Sequence, residues 1–320
     1  RARRGRRLFE PVKLPSPSTG LQYKMMLFPP SFPVKDLKTG GELQTTSATA
    51  YTIPSAEKRL NRRLRLGLLP SKDPELPRTA NIIKPKNHHV WGITDAEEMR
   101  AYLKESFPQI DVNALVSEAD AEAFLEGKVG EFPAPQFVRG MQLFLEEGSG
   151  TAGFALLGDS IHAFPPDIGQ GVNAALEDVM DFREALLGLG KHDRNPAYLK
   201  KGATVLQSPL LLKEALQRYQ ALRAPEAEAV ARIAQVGAPY QYNQSRVREK
   251  IFMLGFALRT VLSVVAAKVG LGKVITEPAV MQIRAGRQRY SRVWKRAQRT
   301  TAACVAAAAA LALKLALASV

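Results

Sequence analysis

The chain has 320 residues, 46% of them hydrophobic and 23% charged, enough apolar material for one large or two ordinary domains and an ordinary globular share of charge, which excludes global disorder. A lone cysteine, Cys304, excludes an internal disulfide framework and a CxxC zinc pair, and the four histidines (His88, His89, His162, His192) form no HExxH, so no metal site is expected. The net charge of +15 is concentrated between Arg246 and Arg299, with thirteen Lys or Arg against Glu249 and Glu277; an anionic membrane face or an acidic partner suits such a field, while no helix-turn-helix, zinc-finger or RNP pattern supports nucleic acid.

Residues 1–19 open with "RARRGRR", a basic arm or loop that can also be the remnant of a transit peptide, which would place the protein in a mitochondrion or chloroplast. Residues 20–150 are expected to form a sheet with two helices. "GLQYKMMLF" (20–28), "RLRLGLLP" (63–70) and "NHHVWGI" (87–93) read as strands between proline-rich loops. "TDAEEMRAYLKESFPQI" has helical spacing, with Thr94 as N-cap, Glu97 completing a capping box and Pro108 ending it; "SEADAEAFLEG" runs from Ser117 to Gly127. Strand character returns at 135–146. Gly148, Gly150 and Gly153 match GxGxxG, but a strand follows rather than the helix whose N-terminus would hold a pyrophosphate, so the segment is a hairpin loop.

Residues 151–190 carry the chemistry: an apolar strand runs into "GDSIHAFPPDIGQGVNAAL". Asp159 at the end of a buried strand can accept hydrogen bonds from sugar-like hydroxyls. Pro165 and Pro166 stiffen an apolar segment suited to a flat ring, and Gly169 and Gly171 let backbone approach a ligand. A helix starting near Asn173 buries Ala175, Val179, Phe182 and Leu186, and its free N–H groups favour negative charge. A planar, polyhydroxylated, partly anionic ligand such as a flavin fits; a proline-stiffened strand–turn–helix with no ligand is the alternative. Ser160, His162 and Asp167 lack the nucleophile elbow of a hydrolase. Residues 191–300 are helical, at 209–235 with a break near Pro225, 244–269 and 277–299. The tail, 301–320, holds an uncharged run from Ala302 to Leu313; with Lys314 snorkelling it approaches the length of a bilayer span.

The 156–182 stretch resembles the second flavin-binding motif of the FAD-dependent aromatic-ring monooxygenases, the para-hydroxybenzoate hydroxylase-like family. "YQALRAPEAEAVARIAQ" and "PYQYNQSRVREKIF" are similar to the carboxyl-terminal helices of the kynurenine 3-monooxygenases. The resemblance implies an α/β (α+β) protein: an incomplete FAD/NAD(P)-binding fold with a β-sheet substrate domain and a helical carboxyl-terminal region. It implies FAD as cofactor, NAD(P)H as co-substrate, molecular oxygen and a small aromatic substrate, with no protein catalytic residue because the cofactor carries the chemistry. Gly158 would belong to the cofactor site, Asp159 would bind the ribityl chain, Pro165 and Pro166 border the ring, and Gly169, Gln170, Gly171, Val172 and Asn173 contact its pyrimidine end. His162 takes a structural role. Gln241, Tyr242 and Arg246 would face substrate, although Gln241 and Ser245 depart from the Asn and Met of the kynurenine pattern. No GxGxxG opening a helix is present, so the chain reads as the carboxyl-terminal two-thirds of such an enzyme, inactive alone. The alternative is a non-catalytic flavin-fold protein that binds a membrane or partner through its basic helices.

Overall fold

A computed structural model describes residues 8–148, 150–187, 205–242, 244–284, 286 and 288–318. The opening arginines, His192, the start of the 191–300 region and the last two residues of the tail lie outside the described residues. The chain is a mixed helix-and-sheet protein, and it divides into two compact units. Its first strand, β1 (Glu10–Lys13), belongs to the unit described second.

The unit Gly20–Phe132 is built on an antiparallel sheet of order β5–β6–β7–β2–β8, formed by β2 (Gln22–Phe28), β5 (Tyr51–Pro54), β6 (Arg65–Leu68), β7 (Arg78–Lys84) and β8 (Gly130–Glu131), with a separate hairpin of β3 (Pro33–Lys35) and β4 (Glu42–Gln44). Period-two alternation turns Met26 and Phe28 of β2 inward and leaves Met25 and Leu27 exposed. Strand β7 is missing from the sequence expectation because its inward face begins and ends with a cation: Arg78, Ala80, Ile82 and Lys84 are all buried. The terminal nitrogens of Arg78 donate to the carbonyls of Thr46 and Thr49, both at 2.7 Å, and its guanidinium stacks on Tyr51.

Three helices cover this sheet: α1 (Ala96–Ser106), α2 (Val112–Leu115) and α3 (Glu118–Glu126). Ser117 and Asp120 form the capping box of α3. Helix α1 is capped by Asp95, which accepts from the Glu98 N–H at 2.8 Å, and not by Thr94 with Glu97. Residues 87–93 are a 3-10 turn (His89–Gly92) rather than a strand. The His88 side chain accepts from the Val90 N–H and the Trp91 indole donates to Pro85 O, and these local bonds outcompete a ladder.

Among the described residues Lys84 has no carboxylate partner. Burial, with Arg65 and Arg63 adding to it, pushes its ammonium down to about 8. Between that value and the ordinary lysine value of about 10.4, the unfolded chain keeps a proton that the folded chain has lost, so stability rises with pH across this window. Replacing Lys84 by Met should remove that rise and stabilise the fold at pH 7 by on the order of 1–3 kcal/mol. Urea unfolding at pH 7, 8.5 and 10 checks this; a stability difference from the unaltered chain that is constant with pH refutes it.

The other unit holds residues 8–19 and 133–318. Residues 133–150, grouped by sequence with the preceding sheet, belong here. Strand β9 (Gln136–Arg139) pairs with β1 on one side and β12 (His162–Ala163) on the other, and β10 (Gln142–Glu147) and β11 (Gly150–Ala155) form a hairpin. Five helices follow among the described residues: α4 (Gly171–Leu187), α5 (Pro209–Gly237), α6 (Arg246–Lys268), α7 (Ala279–Arg284) and α8 (Tyr290–Ala318). Helix α5 runs through Pro225 unbroken, because it is the central element of this unit and its buried residues Tyr219, Ala227, Val230 and Ile233 are held by neighbours. The single helix expected over 277–299 is instead α7 and α8, separated at Gly286 with φ +65°. Helix α8 continues through the tail to Ala318. Both α6 and Tyr290–Leu317 are long and apolar enough to cross a membrane, and only 6% of each apolar window is buried.

Candidate flavin-binding loop

The loop between β11 and α4 is shaped by two glycines in the left-handed region. Gly158, at φ +63°, opens a 3-10 turn (Gly158–Ser160), and Gly169, also at +63°, closes a second one (Pro166–Ile168). Helix α4 starts at Gly171, two residues before the expected Asn173. Its first bond runs from Ala174 N to Gln170 O, so the N–H groups of Gly171, Val172 and Asn173 have no partner within the helix.

One side of this loop is open. Asp159, Pro166, Gly169, Val172 and Asn173 are exposed, and a Cβ built on Gly169 or Gly171 would meet nothing within 4 Å. The strand leading into Asp159 is itself exposed rather than buried, since β11 has only β10 as a partner. Pro165 and Gln170 point the other way. Pro165 is buried, and the Gln170 carboxamide accepts from the Tyr290 hydroxyl at 2.9 Å.

The buried side is a charge cluster. The 4, 3, 4 period expected for α4 is present, but shifted by one residue: Ala174, Asp178, Asp181 and Ala185 are buried, while Val179 is exposed. Asp178 sits at the centre. Its carboxylate accepts from the Gly158 N–H at 2.6 Å, from His162 Nε2 at 2.9 Å and from Arg223 Nε of α5. Arg223 also donates to Ala174 O at 2.8 Å and lies 3.6 Å from Asp181, which Arg289 approaches at 3.8 Å. Glu226 accepts from the Ser291 N–H at 3.0 Å, and Tyr219 donates to Leu156 O at 2.8 Å. Periodicity could not find Asp178 and Arg223, because it counts charged residues as solvent-facing. Two aspartates three apart, inside an otherwise apolar helical stripe, were the available signal.

Asp167 is buried on this inner side too. Its oxygens accept no well-formed hydrogen bond, although Ser18, Tyr242 and Gln241 lie close enough to influence its ionisation, and burial raises its carboxyl above the ordinary range. Tyr242 is raised in turn, by burial first and then by the Asp167 charge. Gln241 Nε2 donates to Asp167 O at 3.2 Å and to the Tyr242 hydroxyl at 3.1 Å. The structure thus brings Gln241 and Tyr242 to the back of the loop, while Arg246 is exposed on the first turn of α6. Ser160, His162 and Asp167 form no relay: Ser160 donates to Leu157 O and His162 pairs with Asp178. Among the described residues no group of three metal-ligating side chains could hold an ion.

No family model matches the chain. It is 30% identical over 149 residues to a kynurenine 3-monooxygenase of Neurospora crassa, covering 47% of this chain and 26% of that protein. It is 31% identical over 93 residues to the FAD-dependent monooxygenase andE of Emericella variicolor, covering 29% of this chain and 18% of the relative. These stretches of the chain are similar to FAD-dependent monooxygenases. A kynurenine 3-monooxygenase of Emericella nidulans is 25% identical over 162 residues, 51% of this chain and 29% of its own length. The matched region thus spans less than a third of each of these relatives. Among solved structures, PqsL from Pseudomonas aeruginosa, a probable FAD-dependent monooxygenase, superposes with a TM-score of 0.39 at 18% identity, covering 76% of this chain and 53% of that one. HpxO of Klebsiella pneumoniae, solved with FAD and uric acid, gives 0.33 at 15% identity, covering 75% and 50%.

Proposed function

We propose that this chain supplies the ribityl- and pyrimidine-binding part of the FAD site in an NAD(P)H-dependent aromatic hydroxylase similar to the kynurenine 3-monooxygenases, acting on a small aromatic substrate with molecular oxygen. The observation that carries the reading is the two-sided loop: an open edge of carboxylate, proline and free amides, backed by a buried cluster that fixes it. The flavin fits the residues present. Asp159 would accept the ribityl hydroxyls, Pro166 would lie beside the ring in place of the inward-turned Pro165, and the amides of Gly171, Val172 and Asn173 would meet the negative pyrimidine edge. When bound, FAD supplies the redox chemistry of oxygen transfer. The protein's part is to bind, orient and exclude water.

Riboflavin 5′-phosphate tests this, because it lacks the adenylate for which the described residues offer no helix-opening GxGxxG. Titration with the chain should quench its fluorescence to saturation. A folded, cooperatively unfolding chain that causes no saturable quenching defeats the reading.

The reading includes attachment to an anionic membrane, supported by the apolar end of α8 and by the cations Lys295, Arg296 and Arg299 before it. The full chain should stay with the membrane pellet through a high-salt wash and a carbonate wash, and a chain ending at Thr300 should be released by salt. Release of the full chain by salt alone contradicts an apolar anchor.

A further inference from the structure

Helices α6, α7 and α8 border a groove of about 980 Å³, at the upper end of the roughly 300–1,000 Å³ typical of small-molecule sites. Its walls are apolar, with Ile251, Phe252, Phe256, Trp294 and Val305 prominent, and one charged residue, Arg259, lines it. The alanines of α8 keep one wall low: Ala297, Ala302, Ala306 and Ala309 all face the space. Along α8 the lining runs from Trp294 to Ala309, roughly 22 Å at about 1.5 Å per residue. The lined space is elongated along α8.

Arg259 is half-buried and has no ion pair among the described residues. Its Nε donates to Thr276 O at 3.2 Å and one terminal nitrogen to Ala297 O at 3.5 Å, and among the described residues its remaining N–H groups meet no acceptor. A guanidinium set in an apolar wall is costly unless an anion meets it. An elongated apolar space with one uncompensated cation is the complement of a long chain ending in one oxyanion. A compact aromatic acid would leave most of the length empty.

We propose that the groove binds one long-chain fatty carboxylate, its tail between α6 and α8 and its carboxylate on Arg259. The assignment is independent of the flavin reading. Equilibrium dialysis of the 320-residue chain with radiolabelled hexadecanoate, below its micelle concentration, should give saturable binding at one site. Arg259→Gln should weaken hexadecanoate roughly ten- to hundredfold, the worth of a charge-assisted hydrogen bond, and leave hexadecanol unchanged. Ala302→Trp should fill the groove and abolish both. Arg259→Lys keeps the charge and should keep carboxylate binding, which guards against a folding defect in the glutamine variant. Equal hexadecanoate affinity in Arg259→Gln, or retention only on anionic vesicles with no dialysable binding, overturns the proposal.

Discussion

Replacing Arg223 by methionine is expected to lower the stability of the chain by about 3–5 kcal/mol, the cost of leaving buried carboxylates without their cation. Arg223 and Asp178 are both 0% exposed, and Asp181 is equally buried. The guanidinium is held at three points: the Asp178 carboxylate, the Ala174 carbonyl and the Glu177 side chain at 3.3 Å. Lysine cannot reproduce that planar fork, so Arg223→Lys should recover only a minor part of the loss. Chemical denaturation of the three proteins decides the matter. A methionine variant within 1 kcal/mol of the unaltered chain, on the scale of an exposed pair, would show that the cluster is not uniquely formed.

Asp159→Ala should have the opposite profile. The side chain is exposed, so the unfolding midpoint should not move. Flavin affinity should drop roughly ten- to hundredfold, or about 1.5–3 kcal/mol for lost hydrogen bonds to a charged acceptor. Asp178→Asn is the informative companion, because it perturbs the Gly158 N–H contact from behind and should reduce both stability and flavin affinity. Flavin affinity unchanged by Asp159→Ala in a folded protein would remove this carboxylate from the site.

Much of the loop was legible in the sequence because glycine and proline restrict backbone geometry locally. Gly169 and Gly171 do have open space beside them, and a helix does follow Gln170. The phase of α4 was not legible. Choosing Ala175, Val179 and Phe182 as its buried face assumed that aspartates face water, and Arg223, contributed from 45 positions away, reverses that assumption. Strand β7 was hidden for a related reason, since Arg78 and Lys84 occupy inward positions that a hydrophobic alternation rejects. Residues 87–93 carry the apolar and β-prone residues of a strand, but short-range bonds from His88 and Trp91 close them into a turn. The division at Phe132 depends on which strands pair, which composition does not record.

Helix α8 joins two regions that are otherwise far apart. Its first residue, Tyr290, is hydrogen-bonded to Gln170 in the loop, and the same unbroken element of 29 residues ends at Ala318. At about 1.5 Å per residue this is a stiff spacer of roughly 43 Å. A fluorophore attached at Cys304 would ride on it about fourteen residues from the loop contact, or roughly 21 Å along the axis. The single cysteine thus gives a ready-made reference point from which distances to a bound flavin can be read by energy transfer.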